Sequence, residues 1–252
     1  MEYLDIVDEQ GQPTGEIISR TLAHTEGIRH RTAHIWIVRR ENEHFQVLMQ
    51  KRAMSKDSFP GKYDTSSAGH IQAGDEPLAS GLRELAEELG IHAKPEDLEF
   101  AGCIHGNFAE EFHGKIFRDN EIAFVYVYQQ PVDIETLVLQ KEEVESVLWF
   151  DLEETYQNCR NRNTQFCAPV PGLEVVRRYL DFTGRSCRSS PHTVHSHNFL
   201  QRFPCKFYIN FSLLRMRILH SFFIIMTVKE NNMNKIKHRN EGSLCIRLYG
   251  IL

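Results

Sequence analysis

No stretch of this 252-residue sequence approaches the roughly 20 consecutive apolar residues of a membrane-spanning helix. The N-terminus, Met-Glu-Tyr-Leu-Asp, is acidic and poor in apolar residues, where a secretory leader would be basic and then apolar. A cytoplasmic protein without a membrane span is therefore expected. Six cysteines (Cys103, Cys159, Cys167, Cys187, Cys205 and Cys245) include no C-x-x-C pair and no regular spacing, which suggests neither a zinc site nor a disulfide framework. Basic residues are scarce over 1–182, with 18 against 32 acidic ones, a net of -14. A surface that grips nucleic acid needs clustered Lys and Arg, so nucleic acid is not expected as a partner, although a metal ion could bridge a small anionic ligand to such a surface. Internal repeats are lacking as well.

What is there falls into two unlike parts. Residues 183–252 hold 2 acidic and 11 basic residues, so the overall net charge of -5 averages -14 with +9. This tail mixes Ser, His and Arg, then an apolar stretch from Phe207 to Val228 interrupted by Arg215, Arg217 and His220, then an Asn/Lys-rich piece. Two readings stand for it: a basic, poorly ordered non-domain appendage dispensable for activity, or a weakly membrane-seeking amphipathic segment. The folded domain is expected over 1–182.

Within that domain, Tyr-Leu-Asp-Ile-Val and Gly-Glu-Ile-Ile-Ser flank a turn containing Gly11, Pro13 and Gly15, which reads as an extended pair. A second pair, His34 to Val38 and Phe45 to Met49, surrounds the charged turn Arg39 to His44. Phe59-Pro60-Gly61 breaks the chain ahead of Tyr63 to His70. The period then changes: Leu82, Leu85, Ala86 and Leu89 recur at three- and four-residue intervals, predicting a helix from Glu76 to Leu89, with Asp75 as N-cap and Gly90 as C-terminal stop. Further strands are expected at Glu99 to His105, Ile122 to Tyr128 and Val144 to Phe150, and a last helix at about Gly172 to Asp181. Strands mixed with two or more helices imply an α/β sandwich around a mixed sheet.

The chemistry-bearing feature is that helix. At about 100° per residue, Glu84, Glu87 and Glu88 fall on one face and the leucines on the other. Carboxylates at i, i+3 and i+4 repel one another and call for a compensating cation, and a hard divalent ion, Mg2+ or Mn2+, suits an all-oxygen donor set. Arg83, four residues before Glu87, could orient that carboxylate. The plainer alternative is a solvated acidic face.

Residues Gly69 to Ile91 resemble the Nudix box, G-x5-E-x7-R-E-U-x-E-E-x-G-U with U a bulky aliphatic, and match it at Gly69, Arg83, Glu84, Leu85, Glu87, Glu88, Gly90 and Ile91. The first glutamate is replaced by Asp75, one methylene shorter. The resemblance implies a Nudix α/β/α sandwich around a mixed sheet and metal-dependent hydrolysis of a diphosphate bond in a small soluble substrate. Glu87 and Glu88 would be the principal metal ligands, with Glu84 and the Gly69 carbonyl assisting.

Over roughly residues 1–180 the chain is also similar to the isopentenyl-diphosphate isomerase branch of that superfamily. The segments A-H-T at Ala23 to Thr25, R-H-R at Arg29 to Arg31, K-R-A-M-S-K-D-S-F-P-G at Lys51 to Gly61, S-S-A-G-H at Ser66 to His70 and D-N-E at Asp119 to Glu121 carry the likeness. It implies a second metal site drawn from His24, His30, His70, Asp119 and Glu121, while His34 reads as structural. Ala68 stands where that resemblance puts a catalytic cysteine, and an alanine has no group to move a proton. Cys103, the nearest cysteine, lies on another predicted strand. A hydrolase acting on a nucleoside diphosphate derivative or related pyrophosphate is thus favoured over an isomerase or a non-catalytic ligand sensor. Glu142 or Glu143, within an L-Q-K-E-E-V motif shared with similar domains of some plant enzymes, is placed where Nudix enzymes often carry a general base; a solvated loop carboxylate is the alternative. Lys51 and Arg52 are candidates for substrate phosphate, and Trp36, Tyr63 and Phe59 read either as core or as stacking groups.

Overall fold

The computed structural model describes residues 1–186, so the expected tail lies outside the described residues from 187 onward. Alternation along one strand explains the layering. In β3 (His30–Glu41) Ile35 and Ile37 point to one side of the sheet and Trp36 and Val38 to the other, and all four are buried, so both faces must be covered.

β3 sits in the centre of a seven-stranded sheet ordered β5-β4-β3-β8-β7, with β6 also on β3 and β9 on β4. These strands are β4 (His44–Arg52), β5 (Tyr63–Asp64), β6 (Ser67–His70), β7 (Leu98–Phe112), β8 (Lys115–Tyr128) and β9 (Val144–Asp151). The β3–β8 pair is parallel and the others are antiparallel, which makes the sheet mixed. Helix α2 (Pro77–Leu89) covers one face through Leu85 and Leu89 packed with Ile35, Ile37, Leu48, Phe124 and Tyr126. On the other face Trp36, Val47, Met49 and Val125 pack against α3 (Leu152–Arg160) and α4 (Val170–Ser186) through Leu152, Tyr156, Leu173, Val176 and Leu180. The result is the expected α/β/α sandwich.

β1 (Tyr3–Val7) and β2 (Pro13–Ser19) form a separate antiparallel pair, followed by α1 (Arg20–Glu26). That pair is clamped to the sheet by charge. Arg31 Nη2 donates to Asp5 Oδ2 at 2.8 Å and to the Asp75 carbonyl at 3.1 Å, and the Gly74 N–H donates to Asp5 Oδ2 at 3.0 Å.

Three local features differ from expectation. The N-cap of α2 is Glu76, in an extended conformation and without a side-chain cap bond; Pro77 fixes the first helical residue, which leaves Asp75 one position too early. α1 and α3, of 7 and 9 residues, are additional to the expected helices, their apolar positions being too few to show a period. β7 and β8 run on past the sheet as a ribbon, pairing from Asn107↔Asn120 out to Phe112↔Lys115. Among the described residues no helix is long and apolar enough to cross a membrane.

Candidate active site

Between α2, the β7–β8 ribbon, the Ala53–Lys62 loop and the β1–β2 pair lies a cavity of about 410 Å³, and Glu84, Glu87 and Glu88 all line it. Their environments differ. Glu87 is half exposed, Glu84 is nearly enclosed, and Glu88 is buried, with a carboxylate oxygen accepting the Ala68 N–H at 3.2 Å. Burial pushes Glu88 up to about 8 and Glu84 up to about 7, the latter against the pull of the Arg83 guanidinium. Arg83 straddles the other two, at 2.8 Å from Glu84 and 3.3 Å from Glu87, and anchors itself on the His70 carbonyl at 3.1 Å. Gly69 is required by contact: a Cβ built there would run into the Glu84 carboxylate. With glycine there, the β6 backbone approaches α2 closely without moving the Glu84 carboxylate.

Glu143 lines the same cavity and Glu142 does not. The loop that carries it is docked on the C-terminal end of α2, where Val138 N–H donates to the Leu89 carbonyl and Gln140 N–H to the Glu88 carbonyl. Glu143 is held in an ion pair by Lys56, another cavity residue. Arg52 also faces the cavity, paired with Asp64 at 3.1 Å and bonded to the Ser58 carbonyl and hydroxyl. Lys51 is not among the cavity residues; it pairs with Glu145 at 2.8 Å. Neighbouring strand residues point to opposite faces, so only one of Lys51 and Arg52 can reach the cleft.

The histidines gather at the ribbon end. His24 Nε2 lies 2.9 Å from His70 Nε2, and His24 Nδ1 meets the Arg118 carbonyl. His30 is fully buried, its Nδ1 on the Ile28 carbonyl, while its Nε2 and Asp119 Oδ1 face each other at 3.7 Å with no hydrogen bond. Ligand atoms of His24, His30 and His70, and those of His30, Asp119 and Glu121, lie within 4.8 Å of one another. Burial depresses all three imidazoles, His24 to about 4 with the His30 charge assisting, which keeps their lone pairs free of protons. Burial raises Asp119, as does the neighbouring Glu121. Two buried polar atoms without partners at the junction of these groups leave room for a cation. His34, read as structural, lines the cavity beside Glu121 at 3.5 Å.

Other residues of the site carried no recognisable signal. Glu2, just before β1, and Arg20, at the start of α1, reach the cavity, as do Lys56, Asp64 and Cys167 from loops and a strand end. Burial, and then the Asp64 carboxylate, push the Cys167 thiol up, so it stays protonated. Lys56 lies in the K-R-A-M-S-K-D-S-F-P-G segment, but on the loop after β4 no periodicity points it at the cavity. Trp36 and Tyr63 are core residues, Tyr63 packed with Phe150 and Phe166, while Phe59 lines the cavity.

Against this geometry the chain can be compared with known proteins. It is 41% identical over 153 residues to a Nudix hydrolase of Clostridium acetobutylicum, covering 61% of this chain and 71% of that one. It is 38% identical over 194 residues to Nudix hydrolase 3 of Arabidopsis thaliana, covering 74% of this chain but only 24% of that longer protein. A crystal structure of a Deinococcus radiodurans protein shares the fold, with a TM-score of 0.50 and 19% identity over 71% of this chain and 99% of that chain. The NUDIX domain family matches residues 28–166, starting after β1, β2 and α1, which nevertheless supply Glu2, Arg20 and His24 to the cavity. That match spans more than half of the chain, and on it, with the fold to which it corresponds, this chain belongs to the Nudix family.

Proposed function

We propose that the chain hydrolyses a diphosphate bond in a nucleoside diphosphate derivative or a related small pyrophosphate, with Mg2+ or Mn2+ held by Glu84, Glu87, Glu88 and the Gly69 carbonyl. One observation carries this reading: a helical trio of carboxylates and the cations Arg52 and Lys56 line a single cavity large enough for a small substrate. The donor set fits a hard divalent ion, because all four donors are oxygen and burial destabilises two of the carboxylates as lone anions. A bound ion supplies charge neutralisation at the phosphoryl oxygens and a more acidic water.

The chain's own residues do the rest. Arg52 and Lys56 attract the phosphoryl oxygens and stabilise the charge that develops on the departing phosphate. Glu143, with Lys56 on its Oε2, takes the proton of the attacking water as the new O–P bond forms and the bridging O–P bond breaks. Arg83 holds Glu84 and Glu87 in place without touching substrate. Cations in the cavity draw an anionic substrate in although the domain as a whole is acidic. Ala68 offers no acid or base at the cavity wall, which supports hydrolysis over double-bond isomerisation.

His30 Nε2 and Asp119 Oδ1, buried without a hydrogen bond, support a second metal site formed by His24, His30, His70, Asp119 and Glu121, whose mixed imidazole and carboxylate donors suit a transition ion better than Mg2+. The test uses the full chain with Mg2+ or Mn2+, screened for product release from nucleotide sugars, dinucleotides, nucleoside triphosphates and prenyl diphosphates. Glu87→Gln and Glu88→Gln should lower turnover roughly 100-fold or more while the far-ultraviolet circular dichroism stays native. Wild-type rates in both variants would end the proposal.

A further inference from the structure

The β7–β8 ribbon places two kinds of chemistry on one face. Alternate residues of a strand share a face, so Glu121, Asp119 and Phe117 follow one another along β8 at steps of about 6.8 Å. Phe108 lies directly across from Asp119 on β7, and Phe112 four pairs further out across from Lys115, so three phenylalanines follow the carboxylates on this face as it leaves the sheet, with Glu110 across from Phe117. Phe59 meets this ribbon from the Ala53–Lys62 loop, its ring 5.9 Å from Phe108 and 4.8 Å from Phe112. Phe117 is stacked on His24 at 4.2 Å, and Phe108 stands 6.2 Å from Phe117. Phe59, Phe108 and Phe117 all line the cavity, and Phe108 keeps 37% of its surface exposed.

The backbone is strained to arrange this. Phe59 has φ of 49°, a left-handed conformation unfavourable for a bulky side chain and more so just before Pro60. Strain of that kind persists where surrounding contacts fix it, and it gathers at binding sites. Here the contacts are the two ribbon phenylalanines and the Lys62 ammonium, 5.4 Å from the ring centre on one face.

From this we infer that Phe59, Phe108 and Phe117 form a specificity wall that binds the organic group attached to the substrate's diphosphate and selects an apolar face there. Phenyl rings have no hydrogen-bonding group, so the wall cannot read a sugar or the edge of a base. It rewards apolar area laid against it: the flat face of an aromatic base or a branched hydrocarbon, reached one strand step beyond the carboxylates. The inference rests on the hydrolase reading for where the diphosphate lies, and binding separates the two.

The full chain, with Mg2+, is titrated calorimetrically with methylene-bridged diphosphate analogues, which resist hydrolysis, carrying a methyl, a 3-methylbutyl or an adenosyl group. At least one of the larger two should bind about tenfold more tightly than the methyl analogue, and Phe108→Ala should erase that preference. Phe108→Leu keeps apolar area without a ring, so it should retain a preference for 3-methylbutyl and lose one for adenosyl, telling the two sources apart. The wall is refuted if the wild type shows no preference, if Phe108→Ala leaves the preference intact, or if it weakens all three analogues equally, which is the mark of a purely structural ribbon. Parallel rates with the oxygen-bridged esters test the other reading. Preference without turnover overturns hydrolysis and leaves the wall; turnover without preference overturns the wall alone.

Discussion

Gly69 and Glu84 show how much one missing side chain decides. Strand β6 brings its backbone at Gly69 against the Glu84 carboxylate, and the space a Cβ would need is already filled by that carboxylate. Gly69→Ala should displace the Glu84 carboxylate or the strand by about 1 Å. Displacement on that scale costs about 100-fold in a positioned active site, so kcat should fall by that order in a substrate assay while the thermal unfolding midpoint moves little. A fully active alanine variant would show that Glu84 can swing away without consequence. Arg52 and Lys51 make the complementary point. They are adjacent, both basic and both suited to phosphate, yet Arg52 faces the cavity and Lys51 pairs with Glu145 away from it.

Among the elements, the β1–β2 pair and α1 deserve the most weight, because they lie before the matched family region and still deliver Glu2, Arg20 and His24. The clamp that fixes them is Asp5, which accepts from Arg31 and from the Gly74 N–H of the loop leading to α2. Both side chains of the pair are about nine-tenths buried. Asp5→Ala leaves the buried Arg31 guanidinium with the Asp75 carbonyl but no paired carboxylate, so unfolding by urea should show a loss of about 3–5 kcal/mol. A loss below about 1 kcal/mol would mean that the clamp is solvated in solution. Helix α2 was legible in the sequence because its information is local: four apolar positions, three carboxylates and a terminal glycine set its two faces and its C-terminal end, while Pro77 puts its start one residue later than the pattern does. α1 was not, since one short turn carries too little pattern, and its place against β8 comes from contacts such as His24 with the Arg118 carbonyl, 94 residues away.

For the molecule as a whole, the buried ionisable groups tie stability to pH and metal. Burial pushes Glu84 up to about 7 and Glu88 up to about 8 in the fold, from an ordinary glutamate value of 4.5. Their protonated forms are favoured by folding, so the stability they contribute is complete below about pH 4.5 and is lost as pH rises through 7 to 8. His24 acts in the opposite sense: at about 4 against 6.5, its contribution is complete above 6.5 and is lost as pH falls toward 4. Above about pH 6.5 only the carboxylates act. The Tm of the chelator-treated chain should therefore fall between about pH 6.5 and 8.5, and millimolar Mg2+ should raise it most at the alkaline end, where the carboxylates are ionised. Differential scanning fluorimetry reads both slopes. Identical slopes with and without Mg2+ would place the ion elsewhere.

The sequence by itself determined the sandwich class, the helix with its carboxylate trio, and the histidine and acidic segments that the structure gathers at the ribbon end. These depend on short-range periods and on motifs whose spacing is fixed along the chain. Tertiary structure alone decided which residues share the cavity with them. Lys56 with Glu143, Arg20 with Glu2 near His70, and the phenylalanines of loop and ribbon come together through strand register, and a slip of one residue would turn each strand's inward set outward. Pairing across tens of residues is set by the sum of many packing contacts, which no local pattern records.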